Sequence, residues 1–245
     1  MGTGAGGPAL PDDAWPIADD LWSALADNQL SLAYSPLRGV DGSIHGYEAI
    51  PMWTHPSRGP IAGDVFLPVA EKAGLIHEIS AWMLEEACTA AATWDDGLRV
   101  SVNVSPIQLA HGDLPESVAR VLAKAGLAAE RLELEMPETA LAGDEAHVGA
   151  ILGALKALGV RLALDHFGSG TSSIARLRTF PFDRLKIDES FIASLGTDPR
   201  SVAIVSAILH LGQEMGLAIT AEGVGDERQA VILRRMGFSE LQGRV

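Results

Sequence analysis

Short hydrophobic segments alternate with longer amphipathic segments along most of the chain. The short segments have the length and aliphatic content of buried strands. These predicted strands cover residues 30–34, 44–50, 99–104, 131–136, 160–165, 184–187, 218–222 and 238–242. The longer segments repeat apolar residues every three or four positions, which is typical of helices with one buried face. These predicted helices cover residues 15–28, 76–94, 114–125, 145–158, 199–215 and 227–236.

Glycine stands at the end of four predicted helices. Gly126, Gly159, Gly216 and Gly237 each precede a strand, and glycine is the usual stop there because it tolerates a left-handed backbone. Strands joined mainly by helices favour a modified (β/α)8 barrel of the TIM type, with an open doubly wound sheet as the alternative. Residues 40–43 (Val-Asp-Gly-Ser) predict a hairpin turn, so we expect one antiparallel strand.

Composition excludes several classes of partner. Hydrophobic residues make up 47% of the chain and charged residues 20%, as in an ordinary soluble domain. The net charge of −14 argues against binding to nucleic acid polymers or to an anionic membrane surface. The longest apolar region, 202–220, is interrupted by His210, Gln213 and Glu214, so we expect no membrane contact. An anionic substrate would therefore need positive charge from another source, such as bound metal ions.

The cysteine content bears on the cellular compartment, and the composition of the N-terminal region bears on the domain boundary. Cys88 is the single cysteine, which precludes an internal disulfide and fits a cytoplasmic protein. Residues 1–13 are rich in Gly, Ala, Pro and Asp, and we interpret them as a flexible tail or linker. That leaves 14–245 as one domain.

Seven successive predicted strands end in an ionisable or amide side chain. In a barrel of this type, the C-terminal ends of the strands meet at one rim, where the chemistry is placed. The residues are Glu48, Asn103, Glu135, Asp165 with His166, Lys186 with Asp188, Glu222, and Gln242. Neighbouring buried carboxylates repel one another unless a cation neutralises them.

The chemistry of this rim is predictable from its ligand types. Carboxylate and amide oxygens suit Mg²⁺, Mn²⁺ or Ca²⁺. Lys186 is the one cation of the set and could hold a water molecule or a substrate phosphate. The sequence therefore predicts metal-assisted hydrolysis of a phosphate ester with one or two metal ions.

The order of the motifs resembles that of the EAL domains, which hydrolyse the bacterial second messenger cyclic di-GMP. The matching segments are 47–50, 66–71, 102–105, 132–135, 165–170, 185–188, 221–224 and 242–243. The resemblance covers nearly the whole chain from about residue 30. It implies a modified (β/α)8 barrel with one antiparallel strand, and attack on one phosphodiester to give linear pGpG.

The resemblance also implies roles for individual residues. The residues that match ligands of a first Mg or Mn ion are Glu48, Asn103, Glu135 and Asp165, and those of a second are Asp165, His166 and Glu222. Lys186, Gln242 and Glu222 match the catalytic residues that orient or activate the attacking water. Glu138 matches the glutamate that holds the loop after the fifth strand. Ile50 and Asp188 match substrate-contacting positions.

Several positions depart from the family pattern. The family has a second Asp where His166 stands, a phosphate-binding Arg where Met52 stands, and Gln where Ser35 stands. The other departures are Pro137 for Thr, Gly225 for Glu and Arg244 for Tyr, and the chain stops at Val245, before the family's last segment. We therefore expect weakened nucleotide contacts.

The two departures nearest the chemistry have physical consequences. Loss of a charge-assisted contact at Met52 costs about 1.5–3 kcal/mol, or one to two decades of affinity. A neutral imidazole at His166 can ligate Mn²⁺, Co²⁺ or Zn²⁺ but suits Mg²⁺ poorly. Alternatively, His166 is a loop residue that touches no metal. Our hypothesis is one intact metal site and one damaged site.

Three functions remain open from the sequence. The domain is a slow or metal-selective cyclic di-GMP phosphodiesterase, a non-catalytic receptor for that dinucleotide, or a protein-interaction scaffold. The family resemblance further implies fusion to other signalling domains and pairing into a homodimer through helices near the fifth and sixth strands.

Overall fold

The computed structural model describes residues 15–142, 144–168 and 174–244, so the predicted tail over 1–13 lies outside the described residues. Nine strands form one sheet in the order β1-β9-β8-β7-β6-β5-β4-β2-β3, and β1 also pairs with β2. That last pairing closes eight strands into a barrel and leaves β3 as an extra strand on β2. The strands are β1 Leu30–Gly39, β2 Ile44–His55, β3 Gly59–Ala62, β4 Arg99–Asn103, β5 Leu132–Pro137, β6 Arg161–Phe167, β7 Arg184–Ile187, β8 Ala218–Val224 and β9 Glu240–Gly243.

Helices connect most of these strands. They are α1 Trp15–Ala24, α2 Gly63–Ala73, α3 Ile76–Ala91, α4 Pro106–His111, α5 Leu114–Ala125, α6 Glu145–Leu158, α7 Ile174–Thr179, α8 Glu189–Ala193, α9 Pro199–Glu214 and α10 Glu227–Met236. None of the helices in the described part of the chain is long and apolar enough to cross a membrane.

The predicted barrel is confirmed, and sheet closure excludes the open doubly wound alternative. The hairpin at 40–43 is also confirmed, because β1 runs antiparallel to β2. β1 is antiparallel to its other neighbour, β9, as well, whereas the pairs from β2–β4 round to β8–β9 are parallel. The hairpin thus inserts one reversed strand into an otherwise parallel barrel.

The first part of the barrel is longer than the sequence predicted. β1 continues past Tyr34 to Gly39 and β2 past Ile50 to His55, and β3 and α2 follow in a segment without predicted elements. Proline obscured these strands, because it lacks the N–H that a central strand needs. Here Pro36 and Pro51 sit in the β1–β2 ladder opposite Tyr47 and Leu32.

A buried ionic layer fills the barrel below the rim. Residues two or four positions before the rim residues share their inward face. The layer consists of Arg99, Ser101, Glu133, Arg184, Thr220 and Glu240. Arg184 Nε lies 2.9 Å from Glu133 Oε2 and its Nη1 lies 3.0 Å from Glu240 Oε1. Arg99 Nη2 lies 2.5 Å from Glu240. The layer balances two guanidinium groups with two carboxylates and supports the strand ends above it.

Candidate active site

Seven strands carry their predicted polar residues to one rim. Alternation along each strand points these side chains into the barrel mouth. They are Glu48 on β2, Asn103 on β4, Glu135 on β5, Asp165 on β6, Lys186 on β7, Glu222 on β8 and Gln242 on β9. The sequence-predicted residues of the rim therefore come together in space, although Glu48 and Gln242 are 194 positions apart.

Lys186 lies at the centre of the rim and is 1% exposed. Four carboxylates surround its Nζ atom, at 2.5 Å for Glu135, 2.8 Å for Glu222, and 3.5 Å for both Glu48 and Asp165. Burial alone would favour the neutral amine, but these carboxylates outweigh it and hold the pKa of Lys186 well above its usual value. The ammonium thus stays charged inside the barrel.

Two amides hold Glu48 in place. Asn103 Nδ2 donates to Glu48 Oε1 at 2.8 Å, and Gln242 Nε2 donates to Glu48 Oε2. Gln242 also lies 3.5 Å from the hydroxyl of Ser35, the residue opposite Glu48 in the β1–β2 ladder. The carboxylate is therefore fixed in orientation by neutral donors as well as by Lys186.

The other three carboxylates differ in their affinity for protons. Burial raises the pKa of Glu135 well above its usual value, because the charge of Lys186 only partly compensates for it. Burial also raises the pKa of Glu222, to about 7. For Asp165, burial acts in the same direction, but the charges of Lys186 and His166 prevail and lower its pKa. Carboxyl groups this close together do not all ionise without additional positive charge.

His166 lies at the outer edge of the rim. Its Nε2 atom is 3.3 Å from Asp165 Oδ2, and its Nδ1 atom is 3.3 Å from Asp188 Oδ2 and 3.7 Å from Glu222 Oε2. The backbone of His166 has a φ of 51°, in the left-handed region, and it lies where the pairing of β6 with β7 shifts register, between Leu164 and Phe167. The side chain is 54% exposed, and it faces the site rather than standing apart from it.

Glu138 contacts the start of the loop that follows β6. Its Oε1 atom accepts a hydrogen bond from the backbone N–H of Gly168 at 3.0 Å. Gly168 has a φ of 97°, and a Cβ there would lie 2.6 Å from the ring of Phe191. Glycine is therefore required at this turn, and Glu138 fixes its position.

A cavity of about 390 Å³ opens beside the rim. Its floor includes Glu48, Asn103 and Asp165, and Ile50 also lines it. Its apolar wall comes from β2, α2, α3, α4 and the ends of β4 and β5. The wall residues are Pro51, Leu67, Ile76, Met83, Val104, Pro106 and Pro137. Sequence reasoning did not assign this wall, although segment 66–71 was among the family motifs.

Two further residues singled out in the sequence, Asp188 and Met52, lie beside the rim. Asp188 caps α8 by accepting from the backbone N–H of Ser190 at 3.0 Å, while its other oxygen faces His166. Met52 is half-buried and pairs across the sheet with Ser31 and Ala62. Met52, Ile50 and Glu48 are two residues apart in sequence and therefore share one face of β2.

The rim fits a divalent cation with oxygen ligands. Four carboxylates surround a single ammonium group, which leaves an excess of negative charge. Glu135 Oε1 and Glu222 Oε2 are buried and have no hydrogen-bond partner within the described part of the chain, a condition that a bound ion relieves. One ligand atom from each of Asp165, His166 and Glu222 lies within 4.8 Å of the others.

Comparison with known proteins gives the family of this chain. A model of the EAL domain family matches residues 18–245. An uncharacterised signalling protein of Caulobacter vibrioides is 47% identical over 228 residues, which are 93% of this chain and 28% of that protein. The bifunctional diguanylate cyclase/cyclic di-GMP phosphodiesterase MucR of Pseudomonas aeruginosa is 42% identical, over 93% of this chain and 34% of that protein.

A comparison with solved structures leads to the same family. A structure of the MucR phosphodiesterase in complex with c-di-GMP superposes with a TM-score of 0.89 at 40% identity, covering 93% of this chain and 94% of that one. The chain spans about a third or less of the curated relatives named above. The family match nevertheless extends over most of its length, from α1 to β9. The chain therefore belongs to the EAL domain family.

Proposed function

We propose that this domain binds cyclic di-GMP and hydrolyses one of its two phosphodiester bonds to give linear pGpG. The observation that carries the proposal is the ring of Glu48, Glu135, Asp165 and Glu222 around Lys186, beside an open cavity. MucR, which is 42% identical, carries the name of a cyclic di-GMP phosphodiesterase. Because the chain spans only part of such relatives, the activity of the whole protein is part of the proposal.

We assign two metal positions to the rim. The first takes Glu48, Asn103, Glu135 and Asp165 as ligands, and the second takes Asp165, His166 and Glu222. Bound divalent metal supplies Lewis acidity toward the phosphate and lowers the pKa of water. The second position favours Mn²⁺ over Mg²⁺, because His166 offers an imidazole nitrogen where Mg²⁺ prefers oxygen.

The chain's own groups orient the reaction. Gln242 donates to Glu48 and keeps its buried Oε1 atom without a partner in the described residues, so this atom is available to accept from the attacking water. Lys186 Nζ stabilises charge that develops on the phosphate. Glu222 lies 2.8 Å from Lys186 Nζ and, as a ligand of the second metal position, would help to orient the attacking water.

A non-catalytic receptor for cyclic di-GMP is the second candidate. His166 favours it, because an imidazole whose nitrogens lie 3.3 Å from Asp165 and Asp188 stands where the family has a metal-binding carboxylate. Met52 lowers affinity in both cases, because it cannot bind a phosphate as arginine does. The two functions therefore differ in turnover rather than in the binding surface.

Product analysis tests the proposal. Purified protein is incubated with cyclic di-GMP and Mn²⁺ or Mg²⁺, and pGpG is separated by chromatography. We expect turnover with Mn²⁺, slower turnover with Mg²⁺, and none for Glu48→Ala. Glu85→Ala is the matched control, because Glu85 is an exposed residue on α3 that pairs with Lys124. Turnover by Glu48→Ala at the wild-type rate would overturn the metal-hydrolysis assignment.

Calorimetry separates binding from turnover. Heat of binding without pGpG formation in either metal assigns the receptor function. Neither heat nor product at high micromolar cyclic di-GMP leaves only the scaffold function.

The proposal includes the molecular setting. A bacterial cytoplasmic location is supported by the bacterial origin of the relatives named above and by the single, buried cysteine, Cys88. A homodimer is supported by Val202 and Ile204, which are 36% and 42% exposed on α9, the second helix after β7. Sedimentation velocity tests the homodimer, with dissociation expected for Ile204→Glu but not for Arg200→Glu on the same helix.

Fusion to other signalling domains is supported by the greater length of the relatives.

A further inference from the structure

An aromatic pocket lies on the outer side of the β1–β2 hairpin. It has a volume of about 410 Å³ and is lined by Tyr34, Tyr47, Thr93, Trp94, Asp95 and Leu98. Because side chains alternate along a strand, Tyr34 and Tyr47 point outward while their neighbours Ser35 and Glu48 point into the barrel. The pocket is thus separate from the rim but shares its two strands.

The three rings form walls rather than a stack. The Tyr34 and Trp94 ring centroids are 5.2 Å apart with an interplanar angle of 87°, and those of Tyr47 and Trp94 are 5.0 Å apart at 64°. All three residues are only partly buried. Rings at steep angles around an open volume present several π-faces or edges to whatever occupies it.

The Arg131 side chain fixes the turn that carries Trp94. The Arg131 side chain donates to the carbonyls of Ala91 and Leu98 at 2.8 Å, and more weakly to those of Asp95 at 3.2 Å and Trp94 at 3.4 Å. Its guanidinium group is therefore engaged with backbone oxygens. The pocket is preorganised, which lowers the entropic cost of binding a ligand.

Two carboxylates place negative charge at or near the pocket. Asp95 lines it directly. Burial raises the pKa of Tyr34, and the carboxylate of Glu86 raises it further, so the charge of Glu86 is felt at this ring. Aromatic faces combined with nearby carboxylates favour a cation over a neutral or anionic ligand.

We propose that the aromatic pocket binds an organic cation of the alkylammonium or guanidinium class. The rings contribute a cation–π attraction, and Asp95 adds a charge that a neutral ligand cannot use. Such a cation would contact the outer side of the two strands that carry Ser35 and Glu48. This inference does not depend on the proposed hydrolysis, because no rim residue lines the pocket.

Nuclear magnetic resonance with a charged probe and its neutral isostere tests the pocket. The ¹⁵N-indole signal of Trp94, identified by its loss in Trp94→Phe, is followed while choline or 3,3-dimethyl-1-butanol is added. We expect saturable shifts with choline, at millimolar concentrations, and much weaker binding of the alcohol. Equal binding of the two probes, or no shift with either, overturns the proposal.

Substitutions of carboxylates at and beside the aromatic pocket give a second, independent test. Asp95→Asn should weaken choline binding by about three- to tenfold, whereas Asp96→Asn should leave it unchanged, because Asp96 is fully exposed and does not line the pocket. An unchanged affinity in Asp95→Asn contradicts the cation assignment. Methylguanidinium distinguishes the sources: tighter binding than choline indicates an arginine side chain of a protein, and weaker binding indicates a free quaternary ammonium compound.

Discussion

Lys186 Nζ lies 2.5 Å from Glu135 Oε2, and both side chains are closed to solvent, at 1% and 0% exposure. Burying an ion pair costs several kcal/mol in desolvation, which the attraction of the pair offsets only when the geometry is favourable. Here the same ammonium also faces Glu48, Asp165 and Glu222. Lys186 is therefore the internal cation that lets the carboxylates of the rim remain together when no metal is bound.

Lys186→Met should destabilise the metal-free domain by about 3–5 kcal/mol, the usual cost of breaking a buried ion pair. Thermal or urea unfolding in EDTA measures this loss. Mn²⁺ should recover part of it, because the ion replaces the missing positive charge. Lys124→Met is the matched control, since Lys124 forms an exposed pair with Glu85 and should change stability little. Equal losses in the two variants would show that the rim does not need its cation.

The pKa of about 7 for Glu222 predicts proton competition with metal. A carboxylate binds a metal ion only when deprotonated, so the apparent Mn²⁺ affinity should fall below pH 7, by about tenfold per pH unit if one proton is displaced. Calorimetric titrations at pH 8, 7 and 6 measure this slope. Glu222→Gln should bind Mn²⁺ more weakly and with a shallower slope. The same affinity at pH 8 and pH 6 would rule out Glu222 as the competing group.

His166→Asp should raise activity with Mg²⁺ more than activity with Mn²⁺. The change places a carboxylate beside Asp165 and Glu222, which gives the second metal position an oxygen ligand that suits Mg²⁺. We expect the Mg²⁺-dependent rate of pGpG formation to rise by about tenfold or more. His210→Asp, on the exposed side of α9, is the control for added negative charge. An unaltered ratio of Mg²⁺ to Mn²⁺ activity means that His166 does not determine the metal preference.

The rim could be predicted from the sequence because a barrel makes it a local property of each strand. Asp165 and Glu222 stand at the ends of apolar runs, and parallel strands bring such ends to one edge. The segment between β2 and α3 was not predicted for a physical reason. Pro51 and Pro68 lie inside β2 and α2, where a sequence reading expects a break.

The ionic layer below the rim was also missed. Arg99 and Glu240 are 141 positions apart in the chain, and each of them alone looks like the solvated start of a strand. Gly46 reflects the close approach of β2 to β4 at Arg99, because a Cβ at position 46 would lie 2.2 Å from the Arg99 carbonyl oxygen. That requirement depends on the pairing of β2 with β4, which no local pattern specifies.

Met52→Arg should strengthen cyclic di-GMP binding about 10- to 100-fold, by the 1.5–3 kcal/mol of a charge-assisted phosphate contact. Position 52 shares the inward face of β2 with Glu48 and Ile50, so the new guanidinium group would reach over the cavity. Calorimetry in EDTA measures affinity without turnover. Met52→Leu keeps the size and burial of the side chain and should show no gain. Equal affinities for the arginine and leucine variants would place the phosphates elsewhere.

Glu240 should make the barrel sensitive to acid. Burial alone would raise the pKa of Glu240, but Arg184 and Arg99 lower it to about 2, from an ordinary value of 4.5. Since the folded pKa lies below the unfolded one, this carboxylate stabilises the fold above pH 4.5, and the stabilisation is lost as the pH falls from 4.5 towards 2. The shift corresponds to about 3 kcal/mol.

Urea unfolding of the metal-free protein at pH 7, 5, 4 and 3 measures this dependence. Glu240→Gln should be less stable than the wild type at pH 7, because it leaves two buried guanidinium groups with one carboxylate, Glu133, instead of two. The difference between the two proteins should shrink as the pH falls below 4.5. Glu227→Gln, at an exposed position on α10, should follow the wild-type curve. A constant difference between wild type and Glu240→Gln at all four pH values would mean that Glu240 is not the group whose protonation weakens the barrel.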